Sequence, residues 1–143
     1  MDFLRVNLDL LVFTILGVMS FLMVWFSVER YLYYRRVDTG RFDSEQELNV
    51  DLTRHLTLIS TIGANAPYIG LLGTVAGILI TFYDIGTAGG SVEVGTVLVG
   101  LALALKATAM GLLVAIPAIW SYNGLLRKVE VLTALWRGRR GSQ

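Results

Sequence analysis

Three long stretches almost free of charge restrict what this chain can fold into more than any other feature. Leu10–Val28 holds 19 residues without a charged side chain, Leu56–Tyr83 is equally free, and Val94–Leu126 is interrupted only by Lys106. About 20 mostly apolar residues suffice to cross a hydrocarbon core of about 30 Å, so each stretch is long enough. A soluble helical protein would need polar faces at helical spacing to meet water, and these stretches are apolar or small on all sides. Charged residues make up 16% of the 143, against about 25% in soluble domains. The first stretch is longer than a signal-peptide core and ends on Trp25-Phe26 rather than a small-x-small site, so it reads as a permanent span. The absence of cysteine excludes disulfides and thiolate metal sites.

The expectation is therefore an all-α membrane protein of one domain, 1–143, with three transmembrane helices at about 8–28, 64–84 and 94–122. Basic residues set the orientation, because Lys and Arg collect on the cytoplasmic side. Ten of the twelve follow the first or third span, whereas the connection Asp84–Glu93 has none. That places the N-terminus in the periplasm, the C-terminus in the cytoplasm, and segments 29–63 and 123–143 on the cytoplasmic side of an inner membrane. The arginine cluster, with Tyr31, Tyr33 and Tyr34 beside it, suits anionic lipid rather than nucleic acid.

Between the first two spans, Val37–Asp43 reads as a turn, and Ser44 with Glu47 has capping-box spacing. Leu48, Leu52, Leu56 and Ile59 then recur at helical spacing. One amphipathic helix is expected to start near Ser44 and run on into span two, bent near Pro67. His55 reads as a solvated or interfacial side chain. The short loop with Gly86, Gly89 and Gly90 makes spans two and three an antiparallel pair, and Leu125, Val129 and Leu132 carry span three onward into the cytoplasm.

The first span is bulky, but the other two are not. Span two carries Gly70, Gly73 and Gly77 with Thr74 and Thr81, and span three carries Gly100, Ala104, Thr108, Gly111 and Ala115. Such residues let helix backbones approach closely in lipid, so the glycines read first as packing sites. Thr74 and Thr108 have two readings: an inert hydroxyl bonded to its own backbone, or the only hydroxyl along a narrow pore. No intramembrane nucleophile with a base, no HExxH and no mid-span carboxylate pair is present, so an enzyme is not expected, nor a metal or cofactor. A non-conducting scaffold is compatible with the glycine-rich pair; a transporter with repeated, broken helices finds no support.

The segments Ala66-Pro-Tyr-Ile-Gly-Leu-Leu-Gly-Thr-Val-Ala-Gly-Ile78 and Ala104-Leu-Lys-Ala-Thr-Ala-Met-Gly-Leu-Leu-Val-Ala-Ile-Pro-Ala118 resemble the second- and third-helix signatures of the ExbB/TolQ/MotA proton-channel family. Within it, the ExbB branch is nearest in pattern; TolQ, serving envelope integrity through the Tol system, is the alternative. The resemblance implies a homopentameric ring around a pore that encloses an ExbD-like protein bearing a protonatable Asp. It further implies a motor driven by the proton motive force and coupled through a TonB-like protein to outer-membrane transport. Thr74 and Thr108 match the family's pore-facing threonines. Where that pattern carries a glutamate, this chain has Leu103, and Lys106 stands three residues on. Leu103 and Lys106 lie roughly 60° apart around a helix, Lys106 and Thr108 roughly 160°. A charge at this depth costs at least about 2.5–3.5 kcal/mol. Lys106 is therefore neutral, paired with an acidic group of a partner subunit or companion protein, or turned toward carbonyls and the interface.

Overall fold

The computed structural model describes residues 2–142. Four α-helices and one 3-10 turn follow in chain order: α1 (Asp2–Arg36), the turn Thr39–Arg41, α2 (Glu45–Leu52), α3 (Leu56–Thr87) and α4 (Val94–Gly141). Among the described residues there is no strand, and α1, α3 and α4 are each long and apolar enough to cross a membrane. At 1.5 Å per residue, the 48 residues of α4 extend about 72 Å. That is more than twice a hydrocarbon core, so one end must stand outside it. The helix runs unbroken through Pro117, as α3 does through Pro67.

One expected helix is corrected. The helix expected from Ser44 into span two is two helices, α2 and α3, separated at Thr53–His55. His55 takes a left-handed conformation with φ 69°, which no α-helix can absorb. Its ring stacks on Phe26 of α1 with centroids 4.4 Å apart, so the tertiary contact holds the break. The expected cap is present at the other end of α2, where the Glu47 amide donates to the Ser44 hydroxyl at 3.2 Å. Asp38 caps the 3-10 turn through the Gly40 amide.

The largest fully buried apolar side chains gather at the basic end of the bundle. Leu48 and Leu52 of α2 and Ile59 of α3 are fully enclosed, in a core shared with Val129 and Trp136 of α4. Polar bonds reinforce it: the Trp136 indole donates to the Phe42 carbonyl at 3.2 Å, and Arg137 pairs with Glu45. On α1, the buried Arg30 donates to Glu29 at 2.5 and 2.6 Å and to the Asp51 carbonyl at 3.0 Å, with Tyr33 under its guanidinium at 4.4 Å. Arg30 holds the Glu29 carboxyl below its usual range.

Beside this cluster, Tyr34 donates to the Leu52 carbonyl, and burial pushes its phenol up to about 12. A phenol whose folded pKa lies above its unfolded value near 10 stabilises the fold fully below pH 10, and that contribution is lost as pH rises toward 12. Amide exchange in α2 should therefore accelerate between pH 10 and 12, after correction for intrinsic exchange. Tyr34→Phe should make that acceleration shallower; an unchanged slope would dissociate Tyr34 from it.

Outside this core, much of the apolar surface is open. Phe21 and Trp25 of α1, Leu72 and Leu79 of α3, and Leu113 and Trp120 of α4 are all exposed. Monomers in water rarely expose such continuous apolar surface; lipid or further protein is its natural neighbour.

Candidate functional site

The antiparallel pair α3–α4 meets along a seam of small residues with a seven-residue period. Gly63, Gly70 and Gly77 of α3 face Ala118, Gly111 and Ala104 of α4. A Cβ on Gly70 would stand 2.6 Å from the Ala107 carbonyl oxygen, and one on Gly111 would stand 2.6 Å from that of Ala66. These are backbone atoms and cannot turn aside. A Cβ on Gly73 would stand 2.9 Å from the Ala107 methyl and would also meet the Val12 side chain of α1. At these glycines the two helices are in direct contact, the arrangement that small residues permit in lipid.

Thr74 sits at the tightest part of this seam and is buried. Its hydroxyl lies 2.5 Å from that of Thr108, 2.9 Å from the Ala104 carbonyl and 3.3 Å from the Gly70 carbonyl. A hydroxyl has one proton to give and two lone pairs to receive. With the Thr74 proton on the Ala104 carbonyl, the Thr108 proton lies on Thr74, and the two form a short directional chain across the interhelical gap. Thr108 is half-buried, so one end of that chain reaches the surface of the subunit. The two threonines singled out from sequence thus come together, and Thr74 is more than a side chain folded onto its own helix.

Lys106 points elsewhere. It is exposed, and its ammonium lies 5.1 Å from the centre of the Phe13 ring on α1. A cation over an aromatic face contributes about 0.5–2 kcal/mol, more when desolvated. This neighbour from the chain's own first span was not among the three environments expected for Lys106. Phe13 lies 93 positions away, and no spacing rule connects the two. Leu103 is exposed as well, on the same side as the lysine, as their angular separation requires.

A second polar group missed from sequence closes the loop end of the seam. Arg5 donates to the Thr81 hydroxyl at 3.0 Å and lies 3.7 Å from an Asp84 carboxylate oxygen. Thr81 is two helical turns along α3 from Thr74 on the same face and is buried against Gly100. Among the described residues, the Arg5 Nε is enclosed without a partner. An arginine one turn into an apolar helix could have signalled this, because an enclosed guanidinium seeks oxygen acceptors.

Long apolar helices and a seam of small, hydroxyl-bearing residues define a multi-pass all-α membrane protein. Residues 36–138 match the model of the MotA/TolQ/ExbB proton channel family. Two relatives extend the match over most of the chain. A biopolymer transport protein ExbB of Helicobacter pylori is 52% identical over 96% of this chain and 94% of its own length. Its counterpart from Aquifex aeolicus is 50% identical over 86% and 82%. A Tol-Pal system protein TolQ of Pseudomonas aeruginosa is 42% identical over 57% of this chain and 35% of its own. The chain belongs to the MotA/TolQ/ExbB family.

Proposed function

We propose that this protein is the channel subunit of an inner-membrane motor that uses the proton motive force to energise TonB-dependent outer-membrane transport. The observation that carries the reading is the Thr74–Thr108 hydroxyl pair at the closest approach of α3 and α4. It is supported by membership of a proton channel family and by ExbB-named relatives of nearly equal length. The subunits assemble as a pentameric ring around an ExbD-like protein, whose protonatable carboxylate completes the path; a TonB-like protein carries the resulting motion outward. The periplasm holds the N-terminus and the cytoplasm the basic C-terminal end.

In this mechanism the chain supplies no acid of its own at mid-membrane. Held by its bond to Thr74, the Thr108 hydroxyl keeps a lone pair free at the half-buried end of the pair, where it can receive a hydrogen bond from the companion's carboxyl group. Lys106, held over Phe13, faces away from this path and contacts an acidic group of a companion protein in the assembled ring. Expressed without its companion, the subunit should conduct little.

Thr74→Val and Thr108→Val, made separately in cells carrying the companion protein, test the reading. Valine preserves the branched shape and removes the hydroxyl. Complexes of unchanged mass with energised uptake lowered at least tenfold are expected. Full uptake by both variants would leave a scaffold as the better account. The sister role in the Tol system rests on the TolQ similarity, which covers little more than half the chain; envelope defects without an uptake defect would select it.

A further inference from the structure

Ion pairing at the loop end of the bundle leaves two charges over. Asp2 and Glu93 are exposed there, and Arg5 is taken up by Thr81 and Asp84. Farther in stand Asp9, half-buried on α1, and Lys106, exposed on α4. Among the described residues neither forms a salt bridge. A charge inside a membrane span is costly and normally pairs with another group.

The register of α1 on α4 brings these two close. A Cβ on Gly73 would touch both Val12 and Ala107, which puts those two residues about level. Arg5 beside Gly100, seven residues back on each helix, keeps the same offset. The helices therefore run parallel, and Asp9 falls level with Ala104. Lys106 is two residues farther in, about 3 Å along the axis. Rotation agrees with this. Asp9 precedes Phe13 by one turn and sits roughly 40° from it around α1. It thus lies on the face whose phenyl ring already meets the Lys106 ammonium at 5.1 Å. Side chains on a helix lean toward its N-terminus, and on α4 that direction leads from Lys106 to the level of Asp9. The lysine stem is flexible, so turning off the ring carries the ammonium to the carboxylate.

We infer that Asp9 is the counter-ion of Lys106 within the chain. The lysine has two seats, the Phe13 ring and the Asp9 carboxylate, and taking the second forms an ion pair between α1 and α4. Pairing neutralises both leftover charges at once and ties the first span to the third. The companion's acidic group invoked above competes with Asp9 for the same ammonium; the pair itself needs no companion.

The test uses the full-length chain alone in neutral detergent, treated with a hydrophobic carbodiimide, which joins a carboxylate to an amine only where they touch. An amide link between Asp9 and Lys106 is expected, found by peptide mass in material with the mass of one chain. No link, or a link confined to dimers, would overturn the proposal. A double-mutant cycle measures the pair independently. Asp9→Asn and Lys106→Met should each lower the folding equilibrium about tenfold, and the double variant should be no less stable than either. Circular dichroism across a dodecyl sulfate titration reads all three. Additive losses would refute the pairing, as would coupling of Asp9→Asn to Arg5→Gln in place of Lys106→Met. Asp9→Lys combined with Lys106→Asp should recover the stability that each reversal loses alone. Recovery on mixing the two single reversals would assign the pair to neighbouring copies and so refute it within the chain. None of these measurements reads proton flow, so a failed ion pair leaves the channel reading standing, and a failed channel reading leaves the ion pair.

Discussion

Gly70→Val should leave the three long helices able to insert but force α3 and α4 apart, with loss of the folded hairpin in detergent well below the temperature at which the parent unfolds. The first added carbon already lies 2.6 Å from the Ala107 carbonyl and 3.1 Å from the Cα atoms of Gly111 and Thr108. Because all three are backbone, relief requires moving a whole helix. Overpacking of this kind costs about 1–3 kcal/mol and sometimes more. Against it stands the gain from removing a helical glycine, about 1 kcal/mol or less. The clash wins. Even Gly70→Ala should be destabilising, and the same separation would break the Thr74 bonds to Thr108 and Ala104. Gly138→Ala is the counterpart: it lies in the same long α4 with nothing within 4 Å of its Cβ position, so it should be neutral or stabilising. Thermal unfolding followed by circular dichroism reads both, and a stabilised Gly70→Ala would contradict the close contact.

Arg30→Met should release α2 from α1 without unfolding the spans. Methionine keeps much of the apolar stem but loses the two bonds to Glu29, the bond to the Asp51 carbonyl and the stack on Tyr33. Glu29 is 39% exposed and can return to water; the carbonyl of Asp51 has no such ready substitute. Charged hydrogen bonds contribute about 1.5–3 kcal/mol and a cation–aromatic contact about 0.5–2, so docking of α2 should weaken by roughly 2–4 kcal/mol. Amide exchange should rise selectively in Glu45–Leu52, and a protease should cut in the connection Val37–Ser44 faster than in the parent. Unaltered exchange there would mean that the enclosed leucines alone hold α2.

Much of the architecture was legible before any coordinates. Charge-free length marks the three helices, and the Gly and Ala spacing of spans two and three marks the faces that meet. The cap at Ser44 is a local bond between residues three apart, so it too could be read directly. The break at His55 was not, because Leu48, Leu52, Leu56 and Ile59 keep helical spacing through it and the stack on Phe26 that accompanies the left-handed residue is remote in sequence.

A three-span helical membrane protein with a small-residue, threonine-bearing hairpin follows from hydropathy and from spacing along single helices. Which side chains meet does not follow from them: Thr74 with Thr108, Lys106 with Phe13, Arg5 with Thr81 and Asp84, and Arg30 with Asp51 are brought together by the packing of the helices. The reason is rotational. In helices apolar on nearly every side, hydrophobicity sets the length inside the membrane but not the angle at which each helix turns to its neighbours. That angle is chosen by close packing, here by glycines that admit one backbone approach and exclude the others.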